Sequence, residues 1–337
     1  MLPREIQQGR DGQESPSSMR LWVAEHYRHF NSAVIKRAVD AYVEHLDKGG
    51  LMFLSMAGAM STAELGRSLA PMIRAEKISA ICCTGANLEE DLFNLVAHQH
   101  YEMFERYHDL TPEEERRLYK RHINRVTDTG IPEQAAMTPI EDAVVARWQE
   151  AKDAHTPIFP HEALYAILNS GELASEYEGD PKDSWLLAAA ECDLPIFVPG
   201  WEDSTLGNVF AAECIKGTFD PTTIKGGIDY MMALADWYTD TSQDHPLGYF
   251  QIGGGIAGDF AICVVPLLEQ DCGVKGTRKW EYFCQITDAD ESMGGYSGAL
   301  PNEKITWGKL EVDTPAFAIK GDATIIAPIM FACVMGE

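Results

Sequence analysis

"LMFLSMAGAMST", residues 51–62, sets five apolar residues around one serine and then runs into alanine and glycine without a single charge. The apolar run is short and ends at a turn former, which predicts a buried strand, with a helix starting near Ser61. The same unit recurs along the chain. "ISAICCTG" (78–85) precedes a helical stretch starting near Leu88, and "LPIFVPG" (194–200), "GYFQIGGG" (248–255) and "WEYFCQITD" (280–288) are further short runs bounded by Gly, Pro or Asp. Strands alternating with helices over this length predict an α/β fold: an open, mostly parallel sheet with helices on both faces.

Residues 1–18 are polar with Gly and Pro and read as a flexible tail. From 19 to 48 apolar residues recur at helical spacing, and Gly49-Gly50 supplies a stop signal. The stretch 101–135, rich in Glu, Arg and His, reads as an exposed helical excursion. No repeat, low-complexity tract or linker interrupts residues 19–337, so they are expected to form one domain.

The 52 acidic and 27 basic residues give a formal net charge of −25. Such a surface repels nucleic acid and attracts cations, small polyamines included, although solubility or a salt-adapted host explains it equally well. The eight cysteines form no Cys-x-x-Cys pair and mostly lie in apolar runs, the usage of a reduced, cytoplasmic protein. His98 and His100, two apart, would diverge on a helix, so no metal site is expected there. No apolar run reaches the length of a membrane span and no secretory leader pattern opens the chain.

In open parallel sheets ligands bind outside the carboxyl ends of the strands. The loops there are "AGAMST" (57–62), "TGANLEED" (84–91), "GWEDSTLGN" (200–208), "GGGIAGD" (253–259) and "TDADESMGGYSG" (287–298), the last leading into "ITWGKL". Glycine and aspartate are ordinary turn formers, so any one loop is explained by turn chemistry; five in series point to a ligand. The three glycines of 253–255 let a backbone approach a pyrophosphate, but they lack the Gly-x-Gly-x-x-Gly order. Glu89, Glu90 and Asp91 read either as first-turn acids offsetting a helix dipole or as carboxylates holding an amine. Lys309 has no phosphate-loop frame around it. It is either a surface lysine or a nucleophile, and nucleophilic work needs the neutral amine, which an apolar wall such as Trp307 favours. Gly308 would leave room for a substrate chain.

Taken together, "FLSMAGAMSTAELG", "TGANLEEDL", "LPIFVPGWEDSTLGN", "IGGG" and "SGALPNEKITWGKL" resemble the deoxyhypusine synthase family, over about residues 50–330. The most specific element is Ser-Gly-Ala-x-Pro-(Asp/Asn)-Glu-x-x-x-Trp-Gly-Lys. The resemblance implies a Rossmann-like NAD-binding fold and a homotetramer with active sites at subunit interfaces. It also implies transfer of an aminobutyl group from spermidine through a lysine-bound imine. On matching positions it implies Lys309 as that lysine, Trp307 in its pocket, and Glu90 and Glu303 as amine-binding carboxylates. Cofactor contacts implied the same way are Gly58, Ala59, Met60, Ser61, Thr62, Thr84, Gly85, Ala86, Asp203, Gly254, Asp288, Ala289, Asp322 and Ala323.

Three substrate-site positions depart from the family pattern: Asn208 and Tyr296 stand where it has aspartates, and Asp259 where it has a histidine. Moving a carboxylate moves the preferred ammonium position, and losing one partner of a buried charged contact costs about 2–5 kcal/mol. The expectation is therefore homospermidine synthesis from putrescine, spermidine or both, with deoxyhypusine synthesis on a protein lysine as the alternative.

Overall fold

The computed structural model describes residues 18–337. The segment read as a tail lies outside the described residues, apart from Ser18, whose hydroxyl accepts the Leu21 N–H and caps the helix Met19–His26. The helix expected over 19–48 is two, Met19–His26 and Phe30–Asp47. They part because their partners differ. The first packs on the C-terminal helix Ala323–Met335 and the second on the sheet as well as on that helix, and Phe30 turns the corner with φ 51°.

The strands are β1 (Leu51–Met56), β2 (Ala80–Cys83), β3 (Glu102–Met103), β4 (Ile123–Val126), β5 (Thr129–Pro132), β6 (Ile196–Phe197), β7 (Leu247–Ile252), β8 (Tyr282–Thr287) and β9 (Ala316–Lys320). Six form one parallel sheet in the order β6-β2-β1-β7-β8-β9. Numbered within that sheet, the order reads third, second, first, fourth, fifth, sixth, which is that of doubly wound dinucleotide-binding sheets. Connections leave β1 in one direction and β7 in the other, so a crevice opens between their carboxyl ends.

Alternation along the strands sorts the core into two layers. Phe53, Tyr249 and Phe283 stand in register on β1, β7 and β8 as a stacked ladder, flanked by Trp280 and by Trp237 of the helix Gly227–Asp244. Phe250 and Tyr282 face the other way, against Tyr42 of the second helix and Phe331 of the last. Helices therefore cover both faces, as the alternation of runs predicts.

The excursion at 101–135 departs from its expected all-helical form. A capping box at Thr111 and Glu114 starts one helix, Pro112–Lys120, but β3, β4 and β5 form a small antiparallel sheet beside it. Ile123, Val126, Thr129 and Ile131 are β-branched, and Thr127, at φ 53°, turns the hairpin. Helices also begin elsewhere than expected. After β1 the chain makes turns until Gly66, and after β2 the helix starts at Gly85 because the Thr84 hydroxyl caps it. Of the cysteines, all unpaired, four are buried and Cys192 and Cys272 are exposed. Among the described residues no helix is long and apolar enough to cross a membrane.

Candidate active site

The short helix Glu303–Thr306 ends in a way that explains Trp-Gly-Lys. Gly308 adopts φ 71°, its N–H donates to Ile305 O (3.0 Å), and the Lys309 N–H donates to Lys304 O (3.0 Å). This is the paired hydrogen bonding of a Schellman stop, with glycine as the left-handed residue. Added bulk at Gly308 would meet no protein atom closer than 3.4 Å, so within the fold the glycine is required for its backbone angle. The stop returns the chain against Trp280, whose N–H donates to Lys309 O, and turns the lysine inward.

Lys309 is only 4 % exposed, so it is not a surface lysine. Its Nζ lies 2.8 Å from Asp259 Oδ1, 5.2 Å from the Tyr296 ring centroid and 5.8 Å from that of Trp307. Trp307, the expected wall, is 64 % exposed and forms the rim; Tyr296 supplies the wall itself, its hydroxyl donating to Gln251 Oε1 on β7 at 2.7 Å. Asp259, Tyr296, Glu303, Trp307 and Lys309 line one cavity of about 310 Å³ together with Cys263, Glu291 and Lys304. Lys304, which carries no signal in the sequence, is 2 % exposed, and burial beside Lys309 lowers its pKa to about 8.

The positions implied as cofactor contacts fall along one edge. Asp203 follows β6, Thr84 to Ala86 follow β2, Gly58 to Thr62 follow β1, Gly254 follows β7, Asp288 and Ala289 follow β8, and Asp322 and Ala323 follow β9. Five strand steps of about 4.8 Å make that edge ~24 Å long. The Thr84 hydroxyl donates to Gly58 O at 2.9 Å, joining the β1 and β2 loops, and the Gly255 N–H donates to Ser297 Oγ at 3.1 Å. A side chain on Gly254 would strike Ser297, so this glycine admits the loop that carries Tyr296. Four helices start on this edge, Gly85–Ala97, Thr205–Ile215, Gly255–Ile262 and Ala323–Met335, and Asp203 and Asp288 are exposed on it. Helix starts for phosphates and carboxylates for hydroxyls are the chemistry a dinucleotide needs. The Ser61 hydroxyl is already engaged, donating to Asn87 O and accepting from Trp185 Nε1.

Asn87 organises the central loop without having stood out from its neighbours in sequence. Fully buried, it donates from Nδ2 to Gly58 O (2.8 Å), Thr84 Oγ1 (2.9 Å) and Met56 O (3.2 Å), and accepts the Ser61 N–H at 3.0 Å.

The acids of "TGANLEED" are neither first-turn residues nor members of the lysine cavity. Glu89 caps the helix Thr205–Ile215 by accepting from the Thr205 and Leu206 N–H groups, and Asp91 accepts from Ser184 Oγ and the Leu186 N–H. Glu90 accepts from Thr62 Oγ1 at 2.5 Å. Asn208 lines a different cavity, beside Trp201 and Phe210. Within one chain, then, Glu90 and Asn208 stand apart from Lys309. Among the described residues no cluster of three metal-ligating side chains occurs.

Burial raises the Glu89 pKa from 4.5 to about 7 and that of Asp91 from 3.8 to about 6. In the unfolded chain these groups ionise first, so folding stability falls as pH rises through that window, by at most about 1.4 kcal/mol per unit per group. Urea midpoints are expected to be higher at pH 5.5 than at pH 7.5, with Glu89→Gln flattening the difference. An unchanged slope in that variant would refute the assignment.

Comparison with known proteins agrees with the motifs. The curated relatives include a deoxyhypusine synthase-like protein of Cyanothece sp., 29 % identical over 93 % of this chain and 78 % of its own. Another, named "Probable deoxyhypusine synthase", is from Ignicoccus hospitalis, 27 % identical over 91 % of this chain and 88 % of its own. Among solved structures, one from Entamoeba histolytica described as a "putative deoxyhypusine synthase" covers 96 % of this chain and 95 % of its own, with TM-score 0.54 and 12 % identity, a likeness of fold. The family model described as "Deoxyhypusine synthase" matches residues 23–334. The chain belongs to the deoxyhypusine synthase family.

Proposed function

We propose that this protein transfers an aminobutyl group between amines through a covalent imine on Lys309. The observation that carries the reading is a buried lysine amine beside one carboxylate in a cavity of small-substrate size. Bound along the carboxyl edge, NAD would supply reversible hydride removal from the amine-bearing carbon of the donor. Gly58 to Thr62, Thr84 to Ala86, Asp203, Gly254, Asp288, Ala289, Asp322 and Ala323 are the residues proposed to hold it.

The chain's own groups account for the transfer. Asp259 Oδ1 takes the proton from Lys309, which lies within direct transfer distance. The freed amine attacks the imine carbon of the oxidised donor and expels the original imine nitrogen as a free amine, leaving the four-carbon fragment as an imine on Nζ. An acceptor amine attacks that carbon in turn and releases Lys309, leaving a product imine that would regain the hydride from the bound cofactor and become the saturated amine, so that no net oxidation results. Tyr296 and Trp307 present ring faces to the cationic ends of the substrate, and Glu303 and Glu291 add negative charge at the wall. Glu90 and Asn208 would reach the cavity only from a second copy, which accords with the expected homotetramer and interfacial sites.

Two acceptors remain in play, each with its own support. Tyr296 and Asp259 rebuild the amine-binding wall and favour a free diamine such as putrescine, giving homospermidine. The names of the curated relatives favour a protein lysine, giving deoxyhypusine. Purified protein with NAD and spermidine or putrescine, assayed by mass spectrometry with each acceptor, separates them. Labelled homospermidine supports the first reading, and a modified protein lysine with no homospermidine overturns it. Asn208→Asp combined with Asp259→His is expected to shift preference towards spermidine. If neither acceptor is modified, aminobutyl transfer itself fails.

A further inference from the structure

The cavity holds a second amine that the transfer described above does not use. The Schellman stop joins the backbones of Lys304 and Lys309, and that motif brings the side chains at its two ends together. Both ammonium groups accordingly lie over the ring of Tyr296, at 4.9 and 5.2 Å from its centroid. Lys304 also covers Phe283, the last rung of the aromatic ladder, at 4.7 Å. The one hydrogen bond of its Nζ among the described residues is a long one, 3.4 Å, to Ala299 O. Lys309, by contrast, is engaged by Asp259 at 2.8 Å. One buried amine is held by a carboxylate, and the other rests on two aromatic rings and a carbonyl.

We propose that Lys304 is the general base of this cavity, taking from each entering amine the proton it must lose before it can react. Polyamine nitrogens arrive as ammonium ions, which neither release hydride from the adjacent carbon nor attack an imine. The exchange balances: substrate ammonium and neutral Lys304 become substrate amine and Lys304 ammonium, and the proton is handed back to the departing amine. Asp259 cannot readily do both jobs, since it serves Lys309. Glu303 and Glu291 also line the cavity, but both are exposed at its mouth.

The charged and titratable groups facing Lys304 are consistent with this role. Burial and the Lys309 charge lower its pKa, while Glu303 and Asp259 raise it, and the balance falls at about 8. Cys263 and Tyr296, the remaining titratable groups of the wall, are both pushed up by burial and stay neutral in that range. A lysine brought near 8 by burial and a neighbouring cation is matched to general-base work close to neutral pH.

The proposal rests on Lys309 as the covalent amine, and the test separates the two. With the native enzyme, kcat/KM is expected to rise with pH through an acid limb near 8. Lys304→Met should remove that limb and lower the rate at pH 9 by at least about a hundredfold. Lys304→Arg, which keeps a positive charge but cannot deprotonate, should be equally impaired. Rescue by arginine would show that only the charge matters and would overturn the proposal. Independently of turnover, the pH midpoint for reductive methylation of Lys304, read by peptide mass spectrometry on substrate-free protein, should lie near 8. It should rise when Lys309 is changed to Met. A midpoint near 10 overturns the base even if borohydride traps an adduct on Lys309, and absence of that adduct with a midpoint near 8 faults only the covalent step.

Discussion

Lys309→Arg is expected to lower aminobutyl transfer by at least about a thousandfold while leaving NAD affinity within a factor of about three. Arginine keeps the positive charge, so Asp259 retains a partner and the cavity wall stays intact. What it removes is an amine able to lose a proton and form a covalent bond. The loss should therefore fall on turnover rather than on folding or cofactor binding. Product formation by mass spectrometry, NAD titration and urea unfolding on the same preparation measure the three quantities. Retention of more than a few per cent of native turnover would mean that Lys309 is not the covalent amine, and a parallel collapse of stability would reassign it as structural.

Asn87→Asp is expected to destabilise the fold by about 3–5 kcal/mol, more than Asn87→Ala, although aspartate is the closer match in shape. The asymmetry follows from what surrounds the side chain. Nδ2 faces four oxygens, those of Gly58 O, Met56 O, Ala57 O and Thr84 Oγ1. A carboxylate there would set negative charge against acceptors, whereas alanine only withdraws one donor from oxygens that keep others, the Thr84 hydroxyl for Gly58 O and the Thr84 N–H for Met56 O. Both variants free the loop after β1, so NAD affinity should fall together with stability. Equal urea midpoints for the two variants would show that the donor group is not what holds the loop.

The two predictions lie at opposite ends of what the sequence discloses. Lys309 was legible because a rare tripeptide, Trp-Gly-Lys, follows a specific motif, but its burial was not, since burial depends on Tyr296 and Asp259 arriving from other elements. Asn87 was hidden among residues that all looked polar and loop-like. Nothing local marks that Asn87, Glu89, Glu90 and Asp91 all turn inward, where each clamps a segment distant in sequence. Lys304 was silent for a similar reason: a lysine in "NEKIT" reads as solvent-facing until the Schellman stop sets it beside Lys309. At the level of fold, the strands of the central sheet with strong apolar runs were evident. β9 was not, because "AFAIK" is short and its edge position leaves it half exposed. The helix break at 27–29 and the hairpin at 123–132 escaped because neighbours decide them, and helical periodicity does not show where a partner changes.

The pairing of β1 with β7 bears on how the chain comes to be folded. Leu51 lies beside Leu247, and everything between them, including both outer strands of the β6 side, must be made before that ladder can close. During synthesis β1 can pair with β2 but keeps its other edge bare, with the apolar faces of Phe53 and Leu54 awaiting the aromatic rungs of β7 and β8. Closure over so long a loop is slow relative to local helix formation, and an open strand edge invites association with other chains. Yield on refolding should therefore depend steeply on protein concentration, and holding the nascent chain apart from its neighbours until residues 247–287 emerge is the condition under which this sheet assembles cleanly.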